Sequence, residues 1–550
     1  MSIDQSPARY ALLFAQFASK HPHCNCVYHT ASLYELFTIP ATPTMSATQF
    51  ALKRGANRPK QYSDAQMRRI MSTMLPMAKR GHSESVKYLA QCMGDFSEFI
   101  IPEIFEALLE SLQATKVPPI ETLKMSFALK ANRTFKDPKV QNAFQALRGL
   151  SNAGGFSSVI ESKPEIGELL EARWPDVLNW MWYFYIACFE RDLVGDKSLK
   201  VDVYRHMCRI FSRVYHGQKL ARAIAEIPGS IRLATLLCML DAGGAFLTKF
   251  DMTRGTLALL FILRVCREST VITFLLDEVL KAVGGNAKLF VDTLLSRIED
   301  AFPSPELAEQ TVATHISLFV VLPDHPKHPL SVALRARNYM GFLTKVVHRL
   351  LDILSEISPE YPDTELAPGV RSLIAMIFFE IADDMFREPG RTKLVLQALQ
   401  AGIMTVLIDC APLAFAFDPL DRDKVVILLK QLTWLSTCIP IARQASAELE
   451  RLESRCSVQV RFNASTLEIR DAWVTFYNAI LARRTILAQM QDLDSTPMAC
   501  DNCFRFDERA IFKKCAGCGM AHYCSRECQS RAWKEKGHRT ECKSLKDKPE

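Results

Sequence analysis

Long apolar runs are absent from this 550-residue chain. A membrane-spanning helix needs about 18 or more apolar residues, and the closest stretch, 177–189, is too short and rich in Trp and Tyr. The N-terminus also lacks the basic-then-apolar pattern of a secretory signal. We therefore expect no membrane association and an intracellular location, in the cytoplasm or the nucleus.

The sequence strings of several enzyme classes are absent too. There is no GxxxxGK[ST] phosphate loop, no GxSxG elbow, no GxGxxG after a strand and no HExxH. A strong charge of one sign is also lacking, since the net charge is only +7 over the whole chain. We predict that the chain is not an enzyme, and its charge implies no acidic partner.

Period-two alternation and βαβ rhythm are missing, whereas apolar residues recur at three- and four-residue spacing nearly throughout. The gaps are mostly short and carry Gly, Pro or Asp. The pattern predicts helices at 63–81, 95–113, 137–154, 175–191, 198–215, 253–267, 269–283, 305–320, 330–357, 369–386, 422–437 and 467–489.

Many helices of this length joined by short turns are typical of an α-solenoid of armadillo or HEAT character. The stretch 146–162 is weakly similar to one armadillo unit, but no clean repeat of about 40 residues can be aligned. The fold class we predict is therefore mainly α, an irregular armadillo/HEAT-like α-solenoid over 63–489. An irregular helical bundle is the alternative.

Composition places the boundaries around this region. Residues 1–62 are expected to be partly mobile, 490–499 to be a linker, and 543–550 to be a disordered tail. Of seventeen cysteines, ten are scattered singly among apolar stretches, which indicates a reducing compartment.

Four pairs of metal-ligand residues close the sequence at 500–542. Two CxxC turns and a CxxxC precede an HxxxC, and thiolate and imidazole are the ligands that zinc prefers. A CxxC lets one tight turn reach one ion, whereas i and i+4 positions share a helix face. The candidate ligands are Cys500, Cys503, Cys515, Cys518, Cys524, Cys528, His538 and Cys542.

This segment has few large apolar residues, and a domain so small buries too little surface to be stable alone. Bound zinc contributes about 10–16 kcal/mol to folding in small fingers. Eight ligands suffice for two closed tetrahedral sites, so we predict two structural Zn²⁺ ions per chain. His522 is a ninth candidate, although a strand position beside Tyr523 explains it as well.

The order CxxC, CxxC, YCSxxCQ, W, HxxxC resembles the MYND zinc finger. Tyr523, Cys524, Gln529 and Trp533 match positions that recur in that family, whereas RING and PHD fingers place their His elsewhere. The resemblance covers about a tenth of the chain. It implies interleaved sites, one of Cys500, Cys503, Cys524 and Cys528, the other of Cys515, Cys518, His538 and Cys542.

The resemblance also implies a role in protein interaction. MYND fingers usually bind short proline-containing peptides, and such a peptide is expected to add a strand beside the short hairpin. Met520 to Tyr523 would offer the strand edge, with Gln529 and Trp533 beside it. The alternatives are a packing role for Trp533 and a solvated helix position for Gln529.

The charge of residues 500–550 argues against a nucleic-acid finger. Lys and Arg exceed Asp and Glu by only four, and the thiolates and zinc ions reduce this excess to about +1. We therefore predict a zinc-binding adaptor or scaffold whose partners are proteins. A ubiquitin-ligase adaptor, suggested by a layout similar to fungal ligase adaptors, and a transcription-linked regulator are the alternatives.

A lysine methyltransferase is disfavoured. One MYND family also carries a SET domain, but its NHS-type turn and Gly-rich cofactor loop do not occur here. Two further clusters, at 21–29 and 324–328, contain enough His, Cys and Asp residues to bind a metal ion. Their spacing is not that of a typical metal site, and we interpret them as loops. The sequence identifies neither the partner nor the oligomeric state, nor whether the helices form a ligand pocket.

Overall fold

The structure is a computed structural model. It describes residues 64–95, 99–123, 135–153, 162–214, 218–240, 247–266, 271–322, 325–356, 366–387, 391–455, 457–495, 498–507, 511–519 and 521–546. The segment 1–62, with its cluster at 21–29, and Met520 lie outside these residues. Contacts divide the chain into two units, Met1–Thr73 and Met74–Glu550, and the second unit holds nearly all of the described residues.

The described residues are mainly α-helical, as predicted. The first helices are α1 Asp64–Lys79, α2 Ser83–Asp95, α3 Pro102–Ser111, α4 Pro138–Asn152, α5 Pro164–Tyr185, α6 Lys197–Val214, α7 Gln218–Glu226 and α8 Ser230–Met239. Then come α9 Lys249–Val265, α10 Ile272–Ala282, α11 Ala287–Ala301, α12 Pro305–Phe319, α13 Pro329–Ala336, α14 Tyr339–Glu356 and α15 Leu366–Arg387.

The chain continues with α16 Arg391–Gln400, α17 Ile403–Cys410, α18 Pro419–Leu435, α19 Ile439–Glu453, α20 Val458–Asn463, α21 Leu467–Ser495, α22 Arg526–Glu535 and α23 His538–Lys546. The described residues between α21 and α22 include four two-residue strands, β1 Met498–Ala499, β2 Phe506–Asp507, β3 Lys513–Lys514 and β4 His522–Tyr523. They form two antiparallel pairs, β1 with β2 and β3 with β4.

Helices α4, α6, α9, α12, α15, α18 and α21 form a ladder in which each member contacts the next. Two other helices separate successive members from α6 onward in the described part of the chain, so the unit is a triplet whose third helix joins the ladder. The first helices of later triplets contact the second helix of the triplet before them, as α10 contacts α8 and α13 contacts α11. This three-helix stacking is the armadillo character that the sequence predicted.

The ladder forms because its helices bury apolar residues against the ladder helices on either side. α15, for example, buries a continuous run from Leu373 to Phe378 between α12 and α18. Helices α4, α9 and α18 of the ladder also begin at side-chain caps. Thr248 and Asp251 form a reciprocal capping box at the start of α9, which ties down two N–H groups that would otherwise lack partners.

Several helix boundaries differ from the prediction. The single helix predicted at 330–357 is two helices, α13 and α14, because Asn338 adopts a left-handed φ of 52° between them. The helix predicted to begin at residue 175 begins at Pro164 and contains Pro175, since the packing of Trp174 and Val177 in the core outweighs the proline penalty.

The secondary structure also differs from the expected linker and tail. α21 continues to Ser495, and Met498–Ala499 pair with β2, so most of 490–499 is regular structure. Residues 543–546 of the expected tail belong to α23, which contains Cys542 and continues beyond it to Lys546.

No single helix among the described residues is both long and apolar enough to cross a membrane. One pair, Thr392–Gln400 with Ile403–Ala416, meets the length and composition criteria together, with a bend of 62° between its halves.

Candidate metal centre

Two groups of four ligand residues lie in the C-terminal segment, and the ligand atoms of each lie within 4.8 Å of one another. The first metal group is Cys500, Cys503, Cys524 and Cys528. The second metal group is Cys515, Cys518, His538 and Cys542. The structure thus brings together all eight residues in the interleaved pairing that the family resemblance implies.

The first metal group joins a turn to a helix start. The Phe504 N–H donates to the Cys500 carbonyl at 2.9 Å, which closes the CxxC turn. Ser525 caps α22 by accepting from the Cys528 N–H at 3.2 Å, so Cys528 lies one turn into the helix, beside Cys524. The cap fixes the direction of α22 and therefore the position of the fourth sulfur.

The second metal group is built in the same way. The Gly519 N–H donates to the Cys515 carbonyl at 2.8 Å and closes the second CxxC turn, while α23 supplies His538 and Cys542 from one face. A side chain at Gly517 would put its Cβ 2.7 Å from Cys542 Sγ. Glycine is therefore needed inside this turn for the sulfur to approach.

The distances fit tetrahedral zinc. Zn–S bonds of about 2.3 Å and Zn–N bonds of about 2.0–2.1 Å place sulfurs about 3.8 Å apart and sulfur about 3.6 Å from nitrogen. Sγ of Cys524 is 3.6 Å from that of Cys503 and 3.5 Å from that of Cys528. In the second group, Cys515 Sγ is 3.8 Å from Cys542 Sγ and 3.4 Å from His538 Nε2. Two zinc ions fit these sites.

The electrostatics of the thiols favour a bound cation. Burial opposes ionisation of Cys500, but N–H groups of Cys503 and Cys524 outweigh it and lower its pKa to about 6. The hydrogen bond to Cys528 contributes most to raising the pKa of Cys524 to about 12. Sulfurs this close cannot all be thiolates unless a positive ion lies among them, and zinc supplies that charge.

Among the residues of the finger that the structure describes, the remaining core is small. Phe512, Tyr523 and Ala532 are buried, and the other buried members of the cluster are the ligands Cys500, Cys515 and Cys542. Half of this core therefore consists of metal ligands, which supports the prediction that metal coordination determines its shape.

His538 is held by aromatic neighbours. The Tyr523 ring contacts it edge to face at 5.7 Å, and the Trp533 ring does so at 5.9 Å. Its Nδ1 faces Glu541, 3.9 Å from Oε2, on the side away from the metal group. These contacts orient the imidazole so that Nε2 points to the sulfurs.

His522 belongs to neither metal group. It lies in β4 opposite Lys514, as the strand interpretation expects. Its N–H donates to Asp501 Oδ2 at 2.6 Å, and its carbonyl accepts from the Asp501 N–H at 3.0 Å. Sequence reasoning missed this role of Asp501, because the contact joins residues that only folding brings together.

Of the residues predicted to bind a peptide, Met520 lies outside the described residues. Tyr523 is 2% exposed, so its side chain belongs to the core, and only its backbone could contact a partner. Gln529 is partly buried, and Trp533 is 38% exposed. They are one helical turn apart on α22 and so share a face.

The predicted strand edge is partly occupied. Cys515 N–H donates to the Ala521 carbonyl at 2.8 Å, so the backbone groups of His522 point away from β3, because bonded and non-bonded pairs alternate in an antiparallel ladder. Asp501 takes both of those outward groups. A peptide that adds beside β4 at His522 must therefore displace Asp501.

The weaker clusters have structural roles where they are described. His328 caps α13 by accepting from the Leu330 N–H, and its Nε2 lies 3.3 Å from Asp277 Oδ1. Asp384, one of two adjacent aspartates in α15, is only 6% exposed and lines a small cleft together with Tyr339.

Comparison with known proteins agrees with this geometry. Residues 500–542 match the family model of the MYND finger, which confirms the resemblance and its position near the C-terminus. MYND fingers are zinc fingers of protein interaction. The chain is also 38% identical over 56 residues to a SET and MYND domain-containing protein of Dictyostelium discoideum, a match that covers 10% of each protein.

Proposed function

We propose that this chain is a non-catalytic adaptor whose MYND finger binds short proline-containing peptides of other proteins. The observation that carries the proposal is an exposed tryptophan beside closed metal sites. With four protein ligands, each site leaves no coordination position for a substrate, so the zinc ions act as structural supports. The finger then functions through its surface.

Trp533 and Gln529 form the surface that we assign to the peptide. The Trp533 ring stacks edge to face on His538, so a metal ligand holds it in place although its side chain is partly exposed. A rigid exposed aromatic ring favours proline, because its flat face packs against the compact proline ring and little side-chain entropy is lost on contact. The neighbouring Gln529 amide can donate to and accept from a peptide backbone.

The experiment measures binding of a fluorescent PxLxP-type peptide to the full chain. We expect Trp533→Ala to weaken binding at least about ten-fold while two zinc ions remain bound. Trp434→Ala is the matched control, since Trp434 is 43% exposed on α18 of the helical array and outside the finger. The proposal fails if the wild-type chain does not bind the peptide, or if the two variants weaken binding equally.

A second variant tests where the peptide lies. Asp501→Ala removes the carboxylate that occupies the His522 N–H. If the peptide adds as a strand beside β4, this variant should bind more tightly, because the His522 N–H is free before binding and only the backbone bond to the His522 carbonyl has to be displaced. Unchanged affinity would restrict the contact to the Trp533 and Gln529 surface.

The adaptor proposal includes the absence of catalysis. The named SET domain of the Dictyostelium relative does not bear on this chain, because the match covers only 10% of that protein. Incubation with labelled S-adenosylmethionine and histones tests the point, and methyl transfer above the level of a heat-treated sample would contradict it.

A separate experiment identifies partners. Proteins captured by the wild-type chain but not by Cys515→Ser are those that need the finger, whether ligase subunits or transcription factors.

A further inference from the structure

Five arginines lie on three adjacent helices of the ladder. α6 carries Arg205, Arg209 and Arg213 at four-residue intervals, so they share one helix face. Its neighbours contribute Arg148 from α4 and Arg254 from α9. All five are partly buried. We call this surface the arginine face.

Because α6 contacts both α4 and α9, the five arginines lie close enough for their charges to act on one another. Burial lowers the pKa of Arg209, and repulsion from Arg254, Arg213 and Arg205 lowers it further, whereas attraction to Asp202 partly offsets these effects. The buried His206 responds to the same charges. Burial is the main reason that its pKa falls to about 3, and Arg209, Arg148 and Arg205 add to the effect.

Two of the five arginines share one carboxylate partner within the fold. The fully buried Asp251 accepts from Arg205 Nε at 2.7 Å and from Nη2 at 3.0 Å, and it also accepts from Arg254 Nη1 at 3.1 Å. Because Asp251 also caps α9, this pair of arginines has a structural role. It fixes the distance between α6 and α9.

The other three have no such partner. Within the part of the chain that the structure describes, no side-chain hydrogen bond or ion pair holds Arg148, Arg209 or Arg213. Arg213 gains some stabilisation from the C-terminal end of α6. Partly buried cations that repel one another destabilise the free protein, so an anion that binds there would relieve a cost already present in the fold.

The apolar surroundings distinguish this face from a simple basic patch. On α9, Phe250 and Leu257 lie on the same side as Arg254, and the Phe250 ring is 42% exposed with the Arg254 guanidinium 5.8 Å from its centre. Packed helices are about 8–10 Å apart, so the face extends about 20 Å across α4, α6 and α9. An extended peptide covers that distance with about six residues.

We propose that the arginine face binds an extended acidic segment of a partner protein, with its carboxylates at Arg148, Arg209 and Arg213 and an apolar side chain at Phe250. Carboxylates fit guanidinium groups in bidentate geometry. A protein segment is favoured over nucleic acid because three free arginines are fewer than the roughly six to ten phosphate contacts of a typical nucleic-acid site. The finger and the ladder would then bind different parts of partner proteins.

The test uses the full chain and a fluorescent peptide of about eight Glu residues, measured at about 50 mM and 200 mM salt beside a Gln peptide and a single-stranded oligonucleotide. We expect Arg209→Gln with Arg213→Gln to weaken Glu-peptide binding at least about ten-fold. Its unfolding midpoint should not fall, since repulsion is relieved. Lysine at both positions should retain part of the binding, because it keeps the charge but loses the bidentate geometry.

Arg443→Gln with Arg455→Gln is the matched control, because both arginines are exposed and the loss of charge is the same. This control should bind the Glu peptide within about two-fold of wild type. Equal weakening in both double variants, no binding by wild type at the lower salt, or lysine variants that bind no better than glutamine variants would each overturn the proposal. Displacement of the Glu peptide by a more tightly held oligonucleotide would also overturn it.

Discussion

The residue that follows each CxxC pair adopts a left-handed backbone. Phe504 has φ 58° and Gly519 has φ 68°, and each closes its turn with the same N–H to carbonyl bond. Glycine adopts this conformation freely, whereas other residues are strained there by about 1–2 kcal/mol. The first turn therefore contains strain that the second does not.

That strain leads to a prediction at position 504. Phe504→Ala should loosen the first metal group, whereas Phe504→Gly should hold zinc more tightly than the alanine variant by about 1 kcal/mol, because only alanine retains the left-handed penalty. Both variants lose the contact of the ring with Lys536, so their difference isolates the backbone. Competition with a zinc chelator measures it. Equal affinities would contradict the strain.

Gly517 limits the second metal group for a different reason. Gly517→Ala places a methyl group 2.7 Å from Cys542 Sγ, so we expect the second ion to be lost or weakly held while the first remains. Elemental analysis of the purified chain should show about one zinc instead of two. Gly195→Ala is the control, since nothing lies within 4 Å of the added methyl group there. Two tightly held ions in Gly517→Ala would disprove the steric argument.

At the scale of elements, the carboxyl group of Glu309 lies between α12 and α15 and lowers the stability of the fold when it ionises. A side chain at Gly369 would collide with its carboxylate, which shows how closely the two helices enclose it. Burial raises the pKa of Glu309 to about 7. The contribution of Glu309 to the free energy of unfolding is therefore fully present below the pKa of the unfolded state, about 4.5, and is lost as the pH rises through the folded-state pKa of about 7.

We expect Glu309→Gln to raise the unfolding midpoint at pH 8 but not at pH 4.5, because glutamine stays neutral at both. Glu306→Gln serves as the control, as it makes the same change at an exposed site in the first turn of α12. A stabilisation by Glu309→Gln that is equal at both pH values would rule out titration of the carboxyl group as the cause.

Periodicity predicted the existence of most ladder helices, because their apolar residues recur over three or more turns. It failed where a helix is interrupted by geometry. Asn338 breaks the predicted 330–357 helix because its backbone is left-handed, and the presence of one asparagine in a sequence does not predict that conformation. Short helices such as α17 and α20 were also missed, since a few buried residues give no clear period.

The metal centre was predictable for the opposite reason. The identity and spacing of the ligands can be read directly from the sequence, and few other arrangements of these residues would allow tetrahedral coordination of zinc. The contacts that link distant residues were not predictable. Asp501 on the outward edge of His522, and Tyr523 and Trp533 around His538, depend on how the two turns and two helices fold together.

At the scale of the whole molecule, the irregular length of the repeat explains why no period could be aligned. Successive ladder helices begin 48 to 61 residues apart, because the two helices and the loops before each ladder helix vary in length. Packing needs only that a third helix return to the ladder. The unit is therefore conserved in three dimensions without a fixed number of residues.

The helical array and the finger should respond differently to a zinc chelator. The array core is apolar, whereas half of the finger core consists of ligands. Chelation should therefore melt α22 and α23, which hold 10 and 9 residues, and leave most of the helical circular dichroism unchanged.

Limited proteolysis gives the second readout. Cleavage should appear first beyond residue 495 after chelation, and added zinc should restore resistance. Loss of most of the helical signal on chelation, or cleavage that begins within the array, would show that the finger supports the whole chain.

The interleaved ligands have a consequence for a broken polypeptide. The first metal group takes two sulfurs from before residue 504 and two from after residue 523, and the second metal group has a pair on each side of β4. A nick between Cys503 and Cys515 would separate the backbone but leave both pieces bridged by the first ion. The nicked protein should migrate as a single species in native electrophoresis, and its two fragments should separate only in acid or after addition of a chelator.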